Sequence, residues 1–301
     1  MLKNCSTKEQ AAAMLCAALA VSFWGASFTA TKVAVNEVSP IILLWLRFGI
    51  GSLVLGTLLI VRGKMKLLPL RDIFDFAMLG LIGIFLHNFI QSTGLKTASA
   101  GVSALIVAST PIMIAILGAV FLSEALQIQQ VIGVLLAASG VVLVVTDGHL
   151  SVLLDHSGNS GELLVTCSVF TWAVFSVISR NKLEKYLPSL AMFYVMFSGW
   201  IFISITLMVT GNALEVHRLS FSGWSSVIFL GVFCSALAYL LWYSALRKLP
   251  VSRVGIFMYL SPLVGVAVAA LVLSEPVGLW IISGGIMVLA GMGLVNSGKS
   301  V

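Results

Sequence analysis

Three polar residues interrupt an apolar part of the chain at helical spacing. His87 and Asn88 are followed by Gln91, which lies four and three residues further on. Residues at these spacings share one face of an α-helix, so the three side chains point in the same direction. An imidazole and two amides offer hydrogen-bond donors and acceptors without a permanent charge. The face suits binding of a small polar molecule; alternatively, these groups only hydrogen-bond to neighbouring helices.

An aromatic group with the same spacing occurs later in the chain. Tyr239, Trp242 and Tyr243 also lie three and four residues apart within an apolar run. Their rings could contact the apolar part of a ligand while the amides fix its polar groups. The alternative is an aromatic belt of the kind found where helices leave a bilayer. Together the two groups predict a binding site that is polar on one side and aromatic on the other.

Arg47 is the one strongly basic residue well inside an apolar run, between Leu44 and Phe48. A guanidinium at such a position must pair with an acid, extend to water or contact a ligand. Two interpretations remain open, a structural ion pair and a contact with a substrate carboxylate.

Two prolines stand inside apolar segments that are long enough to be single helices. Pro111 follows Ser109-Thr110, and Pro262 follows Leu260-Ser261. A proline inside a helix leaves the carbonyl four residues earlier without its donor and bends the helix. Both positions are predicted hinges, with a static kink as the alternative.

The sequence offers little for covalent or metal chemistry. Cys5, Cys16, Cys167 and Cys234 have neither CxxC nor Cys/His spacing, which disfavours a metal site or a disulfide. His87 has no acidic neighbour in sequence, and a phosphate-binding loop motif is missing. We therefore expect no catalytic residues, no cofactor and no metal, and a protein that is not an enzyme.

Composition assigns the chain to a membrane. It is 59% hydrophobic and only 9% charged, with a mean hydropathy of +1.10, whereas a soluble domain carries about 25% charged residues. The net charge of +6 is spread over short basic runs between apolar stretches, which disfavours nucleic acid as a partner. Lipid is the expected surrounding of most of the surface.

The fold predicted is all-α with ten transmembrane helices, because a span needs about 20 apolar residues. The first, preceded by Lys3 and Lys8, continues too far to be a cleaved signal peptide. The predicted segments are 11–35, 40–61, 73–93, 99–122, 126–146, 161–180, 188–210, 222–245, 251–273 and 277–296.

Basic residues are distributed unequally between the two ends of these segments. With the N-terminus inside the cell, thirteen Lys and Arg residues face the cytoplasm, and only Lys32, Lys96 and Arg218 face outward. The loop from Asp147 to Glu162 contains no Lys or Arg. The positive-inside rule therefore predicts that both termini are cytoplasmic.

The two halves of the chain resemble each other. Helices three to five match helices eight to ten at an offset of 151 residues, and helices one and two match six and seven at an offset of 148. The matching pairs are Gly80/Gly231, Leu95/Leu246, Pro111/Pro262, Ser123-Glu124/Ser274-Glu275, Gly133/Gly284, Gly140/Gly291, Trp24/Trp172, Lys32/Arg180 and Pro40/Pro188. An odd number of helices per repeat makes the second copy enter the membrane from the other side, so residues 1–147 and 148–301 are predicted to be inverted repeats.

This pattern resembles the drug/metabolite transporter superfamily, and within it the EamA-type exporters, most closely bacterial aromatic and neutral amino-acid exporters. The resemblance covers essentially the whole chain and rests on the Pro-containing helix, the Ser-Glu corner and the Gly-bearing helix of each repeat. It implies two five-helix repeats around a central cavity and export of amino acids or related small metabolites across the bacterial inner membrane. Alternating access between inverted repeats would move the substrate.

Two other functions stay open at this point. A broad-specificity exporter of drugs or toxic compounds would use the same fold, and a passive channel would need a continuous polar stripe or a ring of charges. The expected partners are a small-molecule substrate and membrane lipid. The sequence determines neither the coupling ion nor the oligomeric state.

Overall fold

The computed structural model describes residues 7–94, 97, 106–107, 109–122, 127–146, 148–149, 160–183, 185–210, 213–273 and 278–297. Within these ranges every regular element is a helix. In chain order they are α1 (Thr7–Val35), α2 (Pro40–Val61), α3 (Leu70–Gly94), α4 (Thr110–Leu122), α5 (Ile128–Thr146), α6 (Ser160–Leu183), α7 (Pro188–Thr210), α8 (Phe221–Leu246), α9 (251–273) and α10 (Leu279–Ser297). A 3₁₀ turn at Ala213–Arg218 precedes α8.

The prediction of an all-helical protein with membrane-spanning helices is confirmed. Six described helices, α1 to α3 and α6 to α8, are long and apolar enough to cross a bilayer. The apolar stretches of α4, α5, α9 and α10 are shorter than 18 residues in the described part of the chain. Ten spans therefore remain a prediction. The Ser-Glu corners at 123–124 and 274–275 lie outside the described residues.

Helices of the first half pack mainly on helices of the second half. The helix α1 packs on α8 and α9, while α6 packs on α3 and α4. Likewise α2 contacts α7 and α8, α7 contacts α3, and α5 lies along α10. These contacts are equivalent in the two halves, where each helix corresponds to the one numbered five higher or lower. The contact of α1 with α8 thus corresponds to that of α6 with α3, and the contact of α2 with α8 corresponds to that of α7 with α3. The buried core is consequently shared by the two halves.

Small residues permit the closest helix contacts. A Cβ atom on Gly133 of α5 would lie 2.7 Å from the carbonyl oxygen of Gly291 on α10, which no real Cβ tolerates. Gly140 meets Gly284 in the same interface. These glycines, which match between the two halves in sequence, thus pack α5 on α10 within one chain.

Two helices change their hydrogen bonding at equivalent places. Gly80–Leu86 in α3 and Leu230–Leu237 in α8 form π-helical segments inside otherwise α-helical elements. A π segment is rare and inserts one extra residue into the turn, which redirects the side chains that follow. His87 and Asn88 come directly after the first segment, and Tyr239 comes shortly after the second.

Loop residues form hydrogen bonds at the N-terminal ends of α3 and α8. The Glu37 carboxylate, between α1 and α2, accepts bonds from the Ser220 backbone N–H at 2.6 Å and from its hydroxyl at 2.7 Å, at the N-terminus of α8. Between α6 and α7, Lys185 donates to Asp72 in the first turn of α3 at 2.7 Å, and Tyr186 donates to the same oxygen. Both inter-helix loops therefore bind the N-terminal end of a π-containing helix.

Candidate functional site

An aromatic cluster fills the region where α1, α6 and α8 meet. The Trp24 ring lies 5.2 Å from Trp172, 5.4 Å from Tyr239 and 5.3 Å from Trp242, measured between ring centroids. Tyr243 joins the cluster through Phe175, at 5.9 Å. Tyr239, Trp242 and Tyr243 are each at least 98% buried. The three aromatic residues predicted from the sequence thus come together inside the protein rather than at a bilayer surface.

Trp24 and Trp172 belong to the cluster, although the sequence reasoning did not select them. They come from α1 and α6, at matching positions of the two halves. The offset of 148 residues that pairs them was the signal that could have found them. Their indoles differ in one respect, because Trp24 Nε1 donates to the Cys234 carbonyl at 2.9 Å, whereas Trp172 Nε1 has no partner among the described residues.

The predicted polar residues of α3 border this cluster. His87 lies 5.0 Å from the Trp172 ring, and its Nδ1 is 3.0 Å from the Ser168 carbonyl oxygen. Because a carbonyl can only accept, Nδ1 donates to Ser168, and Nε2 is the ring nitrogen left for another partner. The structure therefore places His87 next to the aromatic residues.

The Asn88 amide forms hydrogen bonds within its own helix, which the sequence did not predict. Its Nδ2 donates to the carbonyls of Gly83 and Ile84, at 3.2 and 2.9 Å, within the π segment where the regular backbone pairing is shifted. The Asn88 side chain also interacts with the Tyr239 side chain. Gln91, one turn further on, is half-buried, and its side chain makes no hydrogen bond to another described residue. Asn88 thus stabilises the π segment and contacts the aromatic cluster.

Arg47 of α2 is 92% buried and reaches the same region. Its Nε donates to the Ser235 hydroxyl in the π segment of α8 at 2.8 Å, and its guanidinium carbon lies 5.1 Å from the Phe48 ring centroid. Phe48 in turn lies 6.3 Å from Tyr239. No Asp or Glu among the described residues approaches the guanidinium within 4.0 Å. The ion-pair interpretation from the sequence therefore finds no support in the described residues.

Several buried donors of the cluster have no hydrogen-bond partner among the described residues. They are Trp172 Nε1, Trp242 Nε1, the Tyr243 hydroxyl and the Ser176 hydroxyl. An unpaired buried donor costs about 1–3 kcal/mol, so a bound polar molecule that accepts hydrogen bonds from these groups would remove that cost. The chemistry available here is recognition by ring contacts and hydrogen bonds. No group of His, Cys, Asp or Glu residues in the described ranges could hold a metal ion.

The two predicted hinge prolines follow irregular turns. In α9, the 3₁₀ turn Ile256–Tyr259 lies just before Pro262. Before Pro111, the Thr110 hydroxyl donates to the Val107 carbonyl, so the carbonyl that the proline deprives of a backbone donor receives a side-chain donor instead. A Cβ on Gly25 would lie 2.7 Å from the Ser261 carbonyl oxygen, which places α1 next to Trp24 directly against this part of α9.

A crevice of about 250 Å³ opens near the predicted cytoplasmic ends of α2 and α8. Its wall includes Leu59, Arg62 and Pro188, together with Leu240 and Leu241 of α8. These two leucines lie in sequence between Tyr239 and Trp242. The crevice therefore borders the helix that carries Tyr239 and Trp242.

Comparison with known proteins assigns the chain to a family. The model of the EamA-like transporter family matches residues 11–146 and again residues 159–297. The chain belongs to the EamA-like transporter family. It is therefore a multi-pass membrane transporter with a small-molecule substrate and not an enzyme, as the sequence predicted.

Individual relatives of this EamA-like transporter span nearly its full length. An uncharacterized transporter of Archaeoglobus fulgidus is 29% identical, over 92% of this chain and 96% of that protein. A probable amino-acid metabolite efflux pump of Salmonella typhimurium is 25% identical, over 92% of each chain. One solved crystal structure matches with a TM-score of 0.78 at 19% identity, covering 94% of this chain and 97% of the other, and this likeness concerns the fold alone.

Proposed function

We propose that this EamA-like transporter exports aromatic or neutral amino acids, or closely related small metabolites, across the bacterial inner membrane. The observation that carries the proposal is the buried cluster of Trp24, Trp172, Tyr239 and Trp242, bordered by His87 and by the guanidinium of Arg47. Rings suit an apolar side chain, and the polar groups suit the ends of an amino acid. The name of the Salmonella relative, an amino-acid metabolite efflux pump, is consistent with this substrate class.

Transport proceeds by alternating access between two inverted five-helix repeats, residues 1–147 and 148–301. The family model matches each half separately, and helix contacts recur at an interval of five helices, which supports the repeat. Because the aromatic cluster takes residues from both halves, a rocking of one half against the other would open it to alternate sides. Pro111 and Pro262 act as the hinges, and His87, Asn88, Gln91, Tyr239, Trp242 and Tyr243 contact the substrate.

Orientation follows from the basic residues, with both termini and the 62–71 loop in the cytoplasm. Single cysteines at Lys64 and at Ser157, introduced into a cysteine-free background, can test this with an impermeant thiol reagent on intact cells. We expect labelling at 157 and none at 64. The reverse pattern would overturn the orientation.

The substrate proposal is tested with purified protein in liposomes. Counterflow of labelled phenylalanine, tryptophan and leucine is compared with protein-free liposomes, for the wild type, Gln91→Ala and Trp242→Ala. Phe170→Ala is the matched control, because Phe170 is on α6, two residues before Trp172, but is 51% exposed on the outer surface. We expect counterflow by the wild type and the control, and reduced counterflow by the site variants. If both site variants carry every tested amino acid at the wild-type rate, the site assignment is wrong; if only larger cationic drugs are carried, the amino-acid proposal is wrong.

A further inference from the structure

Arg47 is a buried cation for which the described part of the protein supplies no anion. It is the eighth residue of α2, so it lies about 10 Å along a helix of about 33 Å, at 1.5 Å per residue. A charge at that depth is costly unless it is paired or hydrated. Its one side-chain hydrogen bond to a described residue is to the neutral hydroxyl of Ser235.

Two exposed lysines of the same protein, unlike Arg47, have a carboxylate partner among the described residues. Lys185 binds Asp72 and Lys248 binds Glu9, both at 2.7 Å. These lysines are 63% and 42% exposed, so water alone would satisfy them. The carboxylates thus pair with two exposed lysines. The buried guanidinium of Arg47 lies against the Phe48 ring and the Ser235 hydroxyl instead.

Packing alone does not require an arginine at this position. The matching residue in the second half is Val195 of α7, which is fully buried. The backbone of Val195 contacts Gly80 of α3, and the backbone of Arg47 contacts Gly231 of α8, so the two helix contacts are equivalent. A valine fills the position in one half, and a charge is present only in the other.

The guanidinium also lies where a bound molecule would meet the aromatic cluster. Ser235 precedes Tyr239 by one helical turn on α8, and the Phe48 ring beneath the guanidinium contacts Tyr239. The planar guanidinium can donate two parallel hydrogen bonds to a carboxylate, and Nε is already used by Ser235. The remaining nitrogens are available for an anionic group whose attached apolar part extends toward Tyr239 and Trp24.

We propose that Arg47 is the subsite for the carboxylate of the transported molecule, which makes a free carboxylate a requirement of the substrate. This inference rests on the proposed function and narrows it to carboxylate-bearing solutes. Amino acids and simple carboxylic acids with an aromatic or aliphatic side chain fit the subsite. Amides, esters and decarboxylated amines of the same skeleton do not. Two effects exclude these compounds. They offer Arg47 no carboxylate to bind, and the charge of Arg47 repels a substrate that carries a net positive charge.

A ligand series on the wild-type protein tests the requirement directly. Phenylalanine, 3-phenylpropanoate, phenylalaninamide and phenethylamine share one ring and differ in the carboxylate. Their binding to purified protein is measured by calorimetry, and their counterflow is measured in proteoliposomes with protein-free liposomes subtracted. A hydrogen bond to a charged group contributes about 1.5–3 kcal/mol, so loss of the carboxylate should weaken binding by about tenfold or more. Equal binding and counterflow of phenylalanine and its amide would overturn the proposal.

Variants assign the effect to the residue. Arg47→Gln should bind phenylalanine and phenylalaninamide alike, and Arg47→Lys should keep part of the preference because it keeps the charge. The matched control Arg71→Gln, at the exposed start of α3, should discriminate as the wild type does. An Arg47→Gln protein that still prefers the acid tenfold would refute the assignment. If Arg47→Gln does not fold, the wild-type series alone decides.

The same data separate this inference from the proposed function. Carboxylate-dependent binding without counterflow of any member would retain the subsite and reject transport of these compounds. Counterflow of phenylalanine and its amide at equal rates would retain transport and reject the subsite. Counterflow of phenethylamine alone would reject both.

Discussion

The indole rings of Trp24 and Trp172 meet edge to face at 90°, with 5.2 Å between their centroids. One comes from α1 and the other from α6, at matching positions of the two halves. Edge-to-face contact is a favourable geometry for two aromatic rings, which contributes to holding the halves together here. The two halves therefore meet here in a contact between equivalent residues, and Tyr239 and Trp242 pack on both rings.

Replacing either indole should impair transport. For Trp24→Ala and Trp172→Ala we expect about a tenfold or greater loss of counterflow at limiting substrate, because a buried aromatic side chain contributes about 1.5–3 kcal/mol of apolar contact. Trp24→Phe and Trp172→Phe should retain more activity, since a ring remains. Phe170→Ala serves again as the control on α6. Wild-type counterflow in both alanine variants would remove the pair from the substrate site.

The helices could be predicted from the sequence because the backbone of an apolar stretch in lipid must satisfy its own hydrogen bonds, and an α-helix does so within a single segment. The sequence also placed Tyr239, Trp242 and Tyr243 on one face, since spacing alone determines which residues of a helix share a side. It did not predict the π segments. A shift of one residue in backbone pairing depends on contacts such as that of Gly80 with α7, and these have no local sequence signature.

Contacts between residues that are far apart in the chain could not be predicted from the sequence either. Arg47 and Ser235 are separated by 188 residues, so neither spacing nor periodicity connects them. From the sequence, a structural ion pair is one of two open interpretations for Arg47. Only the packing of α2 on α8 identifies a serine there. Asn88 was selected for a ligand, yet its amide nitrogen binds its own helix, because the π segment leaves carbonyls that need a donor.

The hinge prolines can be tested without disrupting the fold. Pro111→Ala and Pro262→Ala should slow transport by about fivefold or more, because each restores a regular helix where the transporter must bend differently in its two states. Thermal stability of Pro262→Ala should be unchanged or higher, since Pro262 lies inside α9 and proline costs about 3 kcal/mol in a helix interior. Pro40→Ala is the matched control, because Pro40 is in the first turn of α2, as Pro111 is in the first turn of α4, but it is not a predicted hinge. Unchanged rates in both hinge variants would identify the prolines as static kinks.

The contact of Glu37 with the start of α8 predicts a pH dependence of stability. Hydrogen bonds from the Ser220 hydroxyl and backbone hold the pKa of Glu37 below its usual value near 4.5. A carboxyl whose pKa is lower in the folded state stabilises the fold above its unfolded pKa and loses that contribution as pH falls through the folded pKa.

Thermal unfolding of the wild type and Glu37→Gln between pH 7 and pH 3 measures this contribution. The wild type should be the more stable of the two at pH 7, and the difference should shrink as pH falls below about 4.5. Ser220→Ala should give a smaller difference with the same pH trend, since the backbone donor remains. A difference that stays constant over the whole range would show that the charge of Glu37 is not what stabilises this contact.

The last prediction concerns the energy source. Coupling to protons needs a titratable group that changes its exposure between states, and carboxylates in the membrane interior usually serve this role. The described Asp and Glu residues lie near helix ends or in loops, as Glu37 and Asp72 do. His87 is the remaining candidate, with Nε2 open to a proton while Nδ1 binds the Ser168 carbonyl. We expect that the substrate runs down its own gradient without an obligatory ion. Proteoliposomes loaded to give a pH gradient at zero membrane potential should then equilibrate labelled phenylalanine and not accumulate it. Accumulation would contradict the facilitator mechanism, and its loss in His87→Ala, with counterflow retained, would identify His87 as the coupling residue.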